Sequence, residues 1–196
     1  MTTSLGDAAL DTLFREARSH NGWRDEAVTD AQLHALYDLM KMGPTAANAC
    51  PARLVFVRGE QAKKRLEPCL DPANVEKCNS APVVALIAMD LAFHEQLPKL
   101  FPHTDARSWY EGKPEKIREA AFRNSTLQGA YFIIAARSIG LDCGPMSGFD
   151  ADQLNAEFFP DGRVVINFIC ALGHGDPDKL FERLPRLDFD EACSIL

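Results

Sequence analysis

Between a helical pattern and an apolar run lies Gly43-Pro44-Thr45-Ala46-Ala47-Asn48-Ala49-Cys50-Pro51-Ala52-Arg53, a loop built almost wholly of small residues. Gly43, Pro44 and Pro51 stop a helix from crossing it. The short side chains of Thr45, Ala46, Ala47 and Ala49 let main-chain groups approach a flat ligand closely, and Asn48 adds an amide that both donates and accepts. A plain helix-to-strand connection is the alternative. A second irregular stretch, Gly144-Pro145-Met146-Ser147-Gly148-Phe149-Asp150, is rich in turn formers and suits a turn that exposes a main-chain N–H, or an ordinary turn.

Other chemistries are poorly served. No G-x-G-x-x-G follows a strand pattern, no Walker A sequence is present, and Ser147 is misplaced for a G-x-S-x-G nucleophile elbow. The histidines at 20, 34, 94, 103 and 174 never pair at i, i+4. Asp90, His94, His103 and Asp105 are metal-ligand types, but they fall in a polar stretch where such side chains face solvent, so no metal is expected.

The elements that must position the two loops follow from periodicity. Leu10, Leu13, Phe14 and Ala17 predict a short amphipathic helix over Leu10 to Arg18. Thr29 and Gln32 form a capping-box pattern ahead of Leu33, Leu36, Tyr37 and Met40, which predicts a second helix ended by Gly43. Leu54 to Val57, Val83 to Met89 and Val164 to Leu172 read as strands, the middle one central because it is apolar throughout. Gln61 to Leu70 reads as helix and Asp71 to Asn79 as a polar connection. Asp90 to Lys113 is long for a connector and is either a binding wall or lid, or a loosely packed excursion.

Pro114 fits the first turn of a core helix over Glu115 to Ile139 that buries Ile117, Ala120, Ala121, Leu127, Ala130, Tyr131, Ile134 and Ala135, with Gly140 closing it. A short helix is expected over Asp150 to Phe158. Without a hairpin signal or a linker, a single α/β or α+β domain over residues 1–196 with a mixed sheet follows, residues 181–196 forming a C-terminal tail.

Bulk properties narrow the partners. A net charge of -7 and the lack of a Lys/Arg cluster argue against nucleic acid and leave a small molecule. The stretch from Met1 to Arg18 lacks a signal peptide's apolar core, and no apolar run reaches the length of a membrane span, so a soluble, cytoplasmic protein is expected. Six cysteines without C-x-x-C or zinc spacing read as free thiols, mostly core filler.

In their order along the chain, these pieces resemble the nitroreductase family of FMN-dependent oxidoreductases. Arg18 and Ser19 match its N-terminal Arg-Arg-Ser-x-Arg signature, with Ala17 and Asn21 departing from it. Pro44, Thr45, Ala46 and Asn48 match the loop lying against the flavin ring, although Cys50 and Ala52 replace the usual Gln and Trp. Asn74-x-x-Lys77 matches a pair that meets the ribityl chain and the pyrimidine edge, and Pro145, Met146, Ser147 and Gly148 match a turn whose amide approaches flavin N5. Leu184-Pro185-Arg186 parallels a basic residue that holds the phosphate.

The resemblance implies a three-layer α+β fold with a central mixed, mainly antiparallel sheet flanked by helices. It further implies FMN with NADH or NADPH as hydride donor, Lys77 tuning the flavin, and a homodimer with shared flavin sites, Asn21 being counted with the cofactor residues. The stretches His20-Asn21-Gly22-Trp23-Arg24, Asp105 to Trp109 and Phe122 to Ser125 are most similar to the malonic semialdehyde reductases of pyrimidine degradation. That likeness implies reduction of malonic semialdehyde to 3-hydroxypropionate, with Arg107, Trp109 and Arg123 as candidate substrate residues. A general nitro or quinone reductase and a flavin-binding protein without turnover are the alternatives.

Overall fold

The structure is a computed structural model that describes residues 4–196; residues 1–3 of the expected 1–196 domain lie outside the described residues. Helix α1 (Asp7–Leu10) runs into a widened π turn over Asp11–Arg15, so the helix expected over Leu10 to Arg18 begins and ends earlier. Helix α2 (Asp30–Met40) starts at the expected capping box: Gln32 N–H donates to Thr29 Oγ1 at 3.2 Å and Thr29 N–H donates to Gln32 Oε1 at 2.9 Å. Its buried stripe is Leu36 and Met40 with Leu33 packed beside them, whereas Tyr37, at the stripe's edge, is exposed rather than buried.

Strand β1 (Ala52–Arg58) leads to α3 (Glu60–Leu66), which tightens into a 3-10 turn over Glu67–Cys69. Pro68 cannot donate to an α-helical ladder, so the helix is shorter than the Gln61 to Leu70 expected. The supposed polar connection after it is helix α4 (Pro72–Ser80), begun by Pro72 at the first helical position after Asp71. Its apolar stripe is narrow, with Cys78 buried and Val75 packed beside it, so periodicity alone left it silent.

Strand β2 (Val83–Asp90) is buried along its whole length. The long segment after it contains α5 (Leu97–Leu100) and is not loosely packed: Phe93, Leu97, Ala106 and Tyr110 form a small core with Ala49, Met89 and Ala121. Helix α6 (Pro114–Ser138) ends in a Schellman motif, with Leu141 N–H donating to Ala136 O at 2.9 Å and Gly140 at φ +79°. Its buried residues are Ala121, Asn124, Ser125, Gln128, Gly129, Phe132, Ala135 and Ala136, while the expected Leu127 and Ala130 are exposed. Three buried polar side chains turn the packed face away from the purely apolar stripe.

Strand β3 (Asp142–Met146) forms where only an irregular lead-in was expected, with Pro145 tolerated because this strand is an edge. Helix α7 (Ala151–Phe158) is capped by Asp150, and β4 (Val164–Gly173) completes the sheet. The tail is exposed and carries one short helix, α8 (Phe189–Ala192).

The strand order is β1-β2-β4-β3 with every neighbouring pair antiparallel; the parallel component is a single bridge, Ser19 to Cys143, beyond β3. Alternation along β2 assigns the layers. Val83, Ala85 and Ile87 pack toward α2 and α6, whereas Val84, Leu86 and Ala88 pack toward α3, α4 and α7. Cys69, Cys78, Cys143 and Cys170 are buried free thiols, as composition suggested.

Candidate functional site

The small-residue loop is strained and is fixed in place by α6. Ala47, Asn48 and Cys50 all have positive φ, at 51°, 50° and 41°. For residues with a Cβ this region costs on the order of 1 kcal/mol or more each, so the surroundings must fix it. Asn124 Oδ1 accepts from Ala46 N–H at 2.8 Å, Gln128 Oε1 accepts from Ala52 N–H at 2.8 Å, and Tyr131 Oη donates to Pro44 O at 2.9 Å. Gly43 makes room for this clamp, since a Cβ there would lie 2.1 Å from Tyr131 Cδ2. Thr45 Oγ1 accepts from Cys50 N–H at 3.1 Å, closing the loop on itself. Asn48 is exposed, and its Nδ2 donates to Leu100 O at 2.9 Å, which ties the loop to α5.

A second cluster forms along β3. Lys77 lies across Gly144: a Cβ there would meet Lys77 Cε at 2.4 Å and Nζ at 3.0 Å. Burial lowers the Lys77 pKa, with Cys170 and Cys78 pulling the other way. Asn74 Nδ2 donates to Gly148 O at 2.8 Å and Asp71 N–H donates to the same oxygen at 3.2 Å, which fixes the turn after Pro145, Met146 and Ser147. The Arg18 to Asn21 segment runs alongside, bridged at Ser19 to Cys143 and bonded from His20 N–H to Cys143 O at 2.9 Å. His20 itself is buried, with Nδ1 unpartnered among the described residues and Nε2 3.4 Å from Asp142 Oδ1. Burial pushes its pKa down, Asp142 opposes, and Arg18 adds to the lowering.

Arg18, Ser19 and Asn21 open onto a cleft of about 450 Å³ whose other wall is the tail. Arg137, Arg183 and Arg186 line the same cleft, with Phe14 and Phe181 among its apolar walls. Arg18 donates to Phe181 O, and Arg183 donates back to Ala17 O at 3.1 Å, so tail and N-terminal segment are latched reciprocally. Arg186 donates to Leu184 O at 3.0 Å and to Pro185 O at 3.1 Å. Among the described residues none of these four guanidinium groups meets a carboxylate, whereas Arg53, Arg58, Arg65, Arg107, Arg123 and Arg163 all do. A concave, uncompensated cationic cleft suits a dianionic phosphate monoester.

The structure thus gathers Arg18, Ser19, Asn21, Asn74, Lys77, Pro145, Met146, Ser147, Gly148 and Arg186 around one edge of the sheet, and it leaves Pro44, Thr45, Ala46 and Asn48 elsewhere. Ala52, at the end of the loop, pairs with Met89, whereas Gly144 pairs with Ala171 and thence with Val84. Strand geometry puts these two corners about 17 Å apart along the strands and about 14 Å apart across them. Arg107, Trp109 and Arg123 belong with the loop: Phe101 packs against Trp109 at an interplanar angle of 59° with centroids 6.1 Å apart, and Arg107 and Arg123 are exposed and paired with Glu111 and Glu119. Asp90 is bracketed by Arg53 at 2.5 Å and Arg163 at 3.2 Å, and among the described residues it joins no group of metal-ligating side chains.

Sequence reasoning missed Asn124, Gln128, Arg137 and Arg183 as site residues and took Tyr131 for core. The signal was available: polar side chains at 124, 128 and 131 recur at helical spacing on a face that is otherwise buried.

A protein of Ralstonia nicotianae provisionally named NADH dehydrogenase/NAD(P)H nitroreductase is 58% identical over 193 residues, 98% of this chain and 99% of the relative. One of Polynucleobacter asymbioticus with the same provisional name is 58% identical over the full length of both. Among solved structures, a provisionally named nitroreductase of Exiguobacterium sibiricum in complex with FMN superposes with a TM-score of 0.85 at 16% identity, covering 100% of both chains. The model of the Nitroreductase family matches residues 14–174, which include both loops, the core helix and every strand, and the chain belongs to the nitroreductase family.

Proposed function

We propose that this protein is an FMN-dependent oxidoreductase that uses NADH or NADPH to reduce a small acceptor, malonic semialdehyde being the acceptor favoured. The observation that carries the proposal is the four-arginine cleft, whose Ser19 is bridged to β3 at Cys143, next to Gly144 with Lys77 lying across it. The cleft offers cations for a phosphate and Lys77, over Gly144, a half-buried ammonium for an electron-rich ring edge. Bound FMN supplies two-electron chemistry at N5, linking nicotinamide oxidation to acceptor reduction. For an aldehyde the balance is aldehyde plus NAD(P)H plus a proton giving alcohol plus NAD(P)+.

The chain's own residues hold and orient the cofactor. Arg18 and Arg186 fix the phosphate, Asn74 fixes the turn at Gly148, and Lys77 offsets negative charge. Because the loop from Pro44 to Asn48 lies at the opposite corner of the sheet, a ring touching both groups needs the loop of a second copy. The proposal is therefore a homodimer with shared flavin sites, in which Arg107, Trp109 and Arg123 arrive with that loop and face the acceptor. Phe122 and Leu127, exposed at 53% and 42% on α6 beside the loop clamp, suit the contact between copies.

The test is spectroscopic. Purified protein is expected to be yellow, to bleach anaerobically with NADH or NADPH, and to recover colour with malonic semialdehyde. Colourless protein overturns the proposal. Bleaching reversed by quinones or nitroaromatics but not by the aldehyde makes the protein a general reductase, and yellow protein that neither nicotinamide bleaches makes it a flavin-binding protein without turnover.

A further inference from the structure

We infer that Arg137, in the last turn of α6, is a direct ligand of the phosphate monoester, a reading that rests on the proposed FMN site. Its side chain lines the cleft together with Arg18, Arg183 and Arg186. One nitrogen, Nη1, donates to Leu13 O at 2.9 Å, and Nε is buried with no partner among the described residues. A guanidinium has five N–H groups, and leaving buried ones unmatched is costly unless an acceptor arrives.

Scarcity of carboxylates does not explain the missing counter-ion. The chain carries 28 acidic residues against 21 lysines and arginines, and Glu182 lines the cleft without reaching ion-pair distance of any of the four. The cationic surplus is local and built in. It matches an anion with several equivalent oxygens, which can take donors from more than one fork at once.

Position separates Arg137 from its neighbours. Arg183 and Arg186 stand on an exposed tail, and Arg18 on an extended segment, whereas Arg137 projects from a 25-residue helix anchored in the core. It is the pre-organised member of the set, around which the tail arginines close. The field of Arg137 also reaches His20, where it lowers the imidazole pKa in the same sense as Arg18.

The test compares FMN with riboflavin, which lacks the phosphate, as ligands of the apoprotein, read by flavin fluorescence quenching. Arg137→Gln is expected to lose FMN affinity about tenfold or more with riboflavin affinity unchanged. Arg137→Lys, which keeps the charge without the fork, is expected to lose less, and circular dichroism on both variants checks the fold. Equal weakening of both flavins would make Arg137 a prop for Leu13 and overturn the inference, as would unchanged FMN binding. Arg18→Ala separates the levels: if it loses FMN selectivity while Arg137→Gln keeps it, only the role of Arg137 falls. A parent protein that binds riboflavin as tightly as FMN overturns the phosphate site altogether.

Discussion

The side-chain oxygen of Asn124, only 2% exposed on a helix packed against the sheet, accepts a hydrogen bond from the main-chain N–H of Ala46 at 2.8 Å. The same amide donates to Ala120 O at 2.8 Å, so both its ends are satisfied and its rotamer is fixed. Replacing Asn124 with Leu preserves bulk but leaves the Ala46 N–H without its partner beside a run of strained residues. A loss of about 1–3 kcal/mol in urea-denaturation stability is expected. Stability equal to the parent would show that the loop does not depend on this bond.

Gly43→Ala should be destabilising for a different reason. The new methyl group would sit 2.1 Å from Tyr131 Cδ2, and the ring cannot withdraw without breaking its bond to Pro44 O at 2.9 Å. Overpacking of this kind costs about 1–3 kcal/mol, whereas Tyr131→Phe, which loses only the bond, should cost about 1 kcal/mol. The ranking is checked by thermal melts of both variants.

Acid sensitivity follows from His20. Its folded pKa lies below the ordinary 6.5 because the ring is buried, an effect that Arg18 and Arg137 reinforce and Asp142 and Asp176 oppose. A base with a depressed pKa favours the folded state while neutral. Its stabilisation is complete above pH 6.5, and it declines as pH falls from 6.5 through the lowered folded value. Denaturation curves at several pH values should show a steeper loss below pH 6.5 in the parent than in His20→Gln, and parallel slopes would remove His20 as the cause.

Lys77→Met keeps the stem that packs across Gly144 and removes the charge. A unit charge about 4 Å from a developing negative charge is worth roughly 4 kcal/mol at an effective dielectric near 20, before solvent reduces it. The variant should retain FMN but show a lower flavin reduction potential and slower bleaching by nicotinamide. Gly144→Ala, whose Cβ would meet Lys77 Cε at 2.4 Å, should shift the potential in the same direction by pushing the ammonium aside. A redox titration that finds Lys77→Met at the parent potential denies Lys77 this role.

The shared-site proposal predicts that dilution to monomer releases flavin. Sedimentation and absorbance recorded together provide the check, and a yellow monomer that still bleaches with nicotinamide would contradict it.

Local rules in the sequence determined much of this. The Thr29 and Gln32 capping box, Pro114 at the start of α6 and Gly140 at its end act within one helical turn, and the apolar run of β2 can only be a central strand. The ordered motifs from Arg18 to Arg186 also identified the family before any fold was known. Tertiary structure decided what depends on contacts far apart in the chain. The α4 helix escaped notice because its narrow apolar stripe acquires meaning only when Cys78 meets the sheet, and β3 because Pro145 is acceptable only at an edge. Asn124 and Gln128 are unremarkable helix polar residues until the loop of Ala46 to Ala52 is laid across them. Arg137 and Arg186, far apart in sequence, become one site because the tail folds back over the N-terminal segment. Spacing along a chain encodes which groups a helix or strand places side by side; which elements then converge is set by burying both faces of the sheet at once, a property of the whole core.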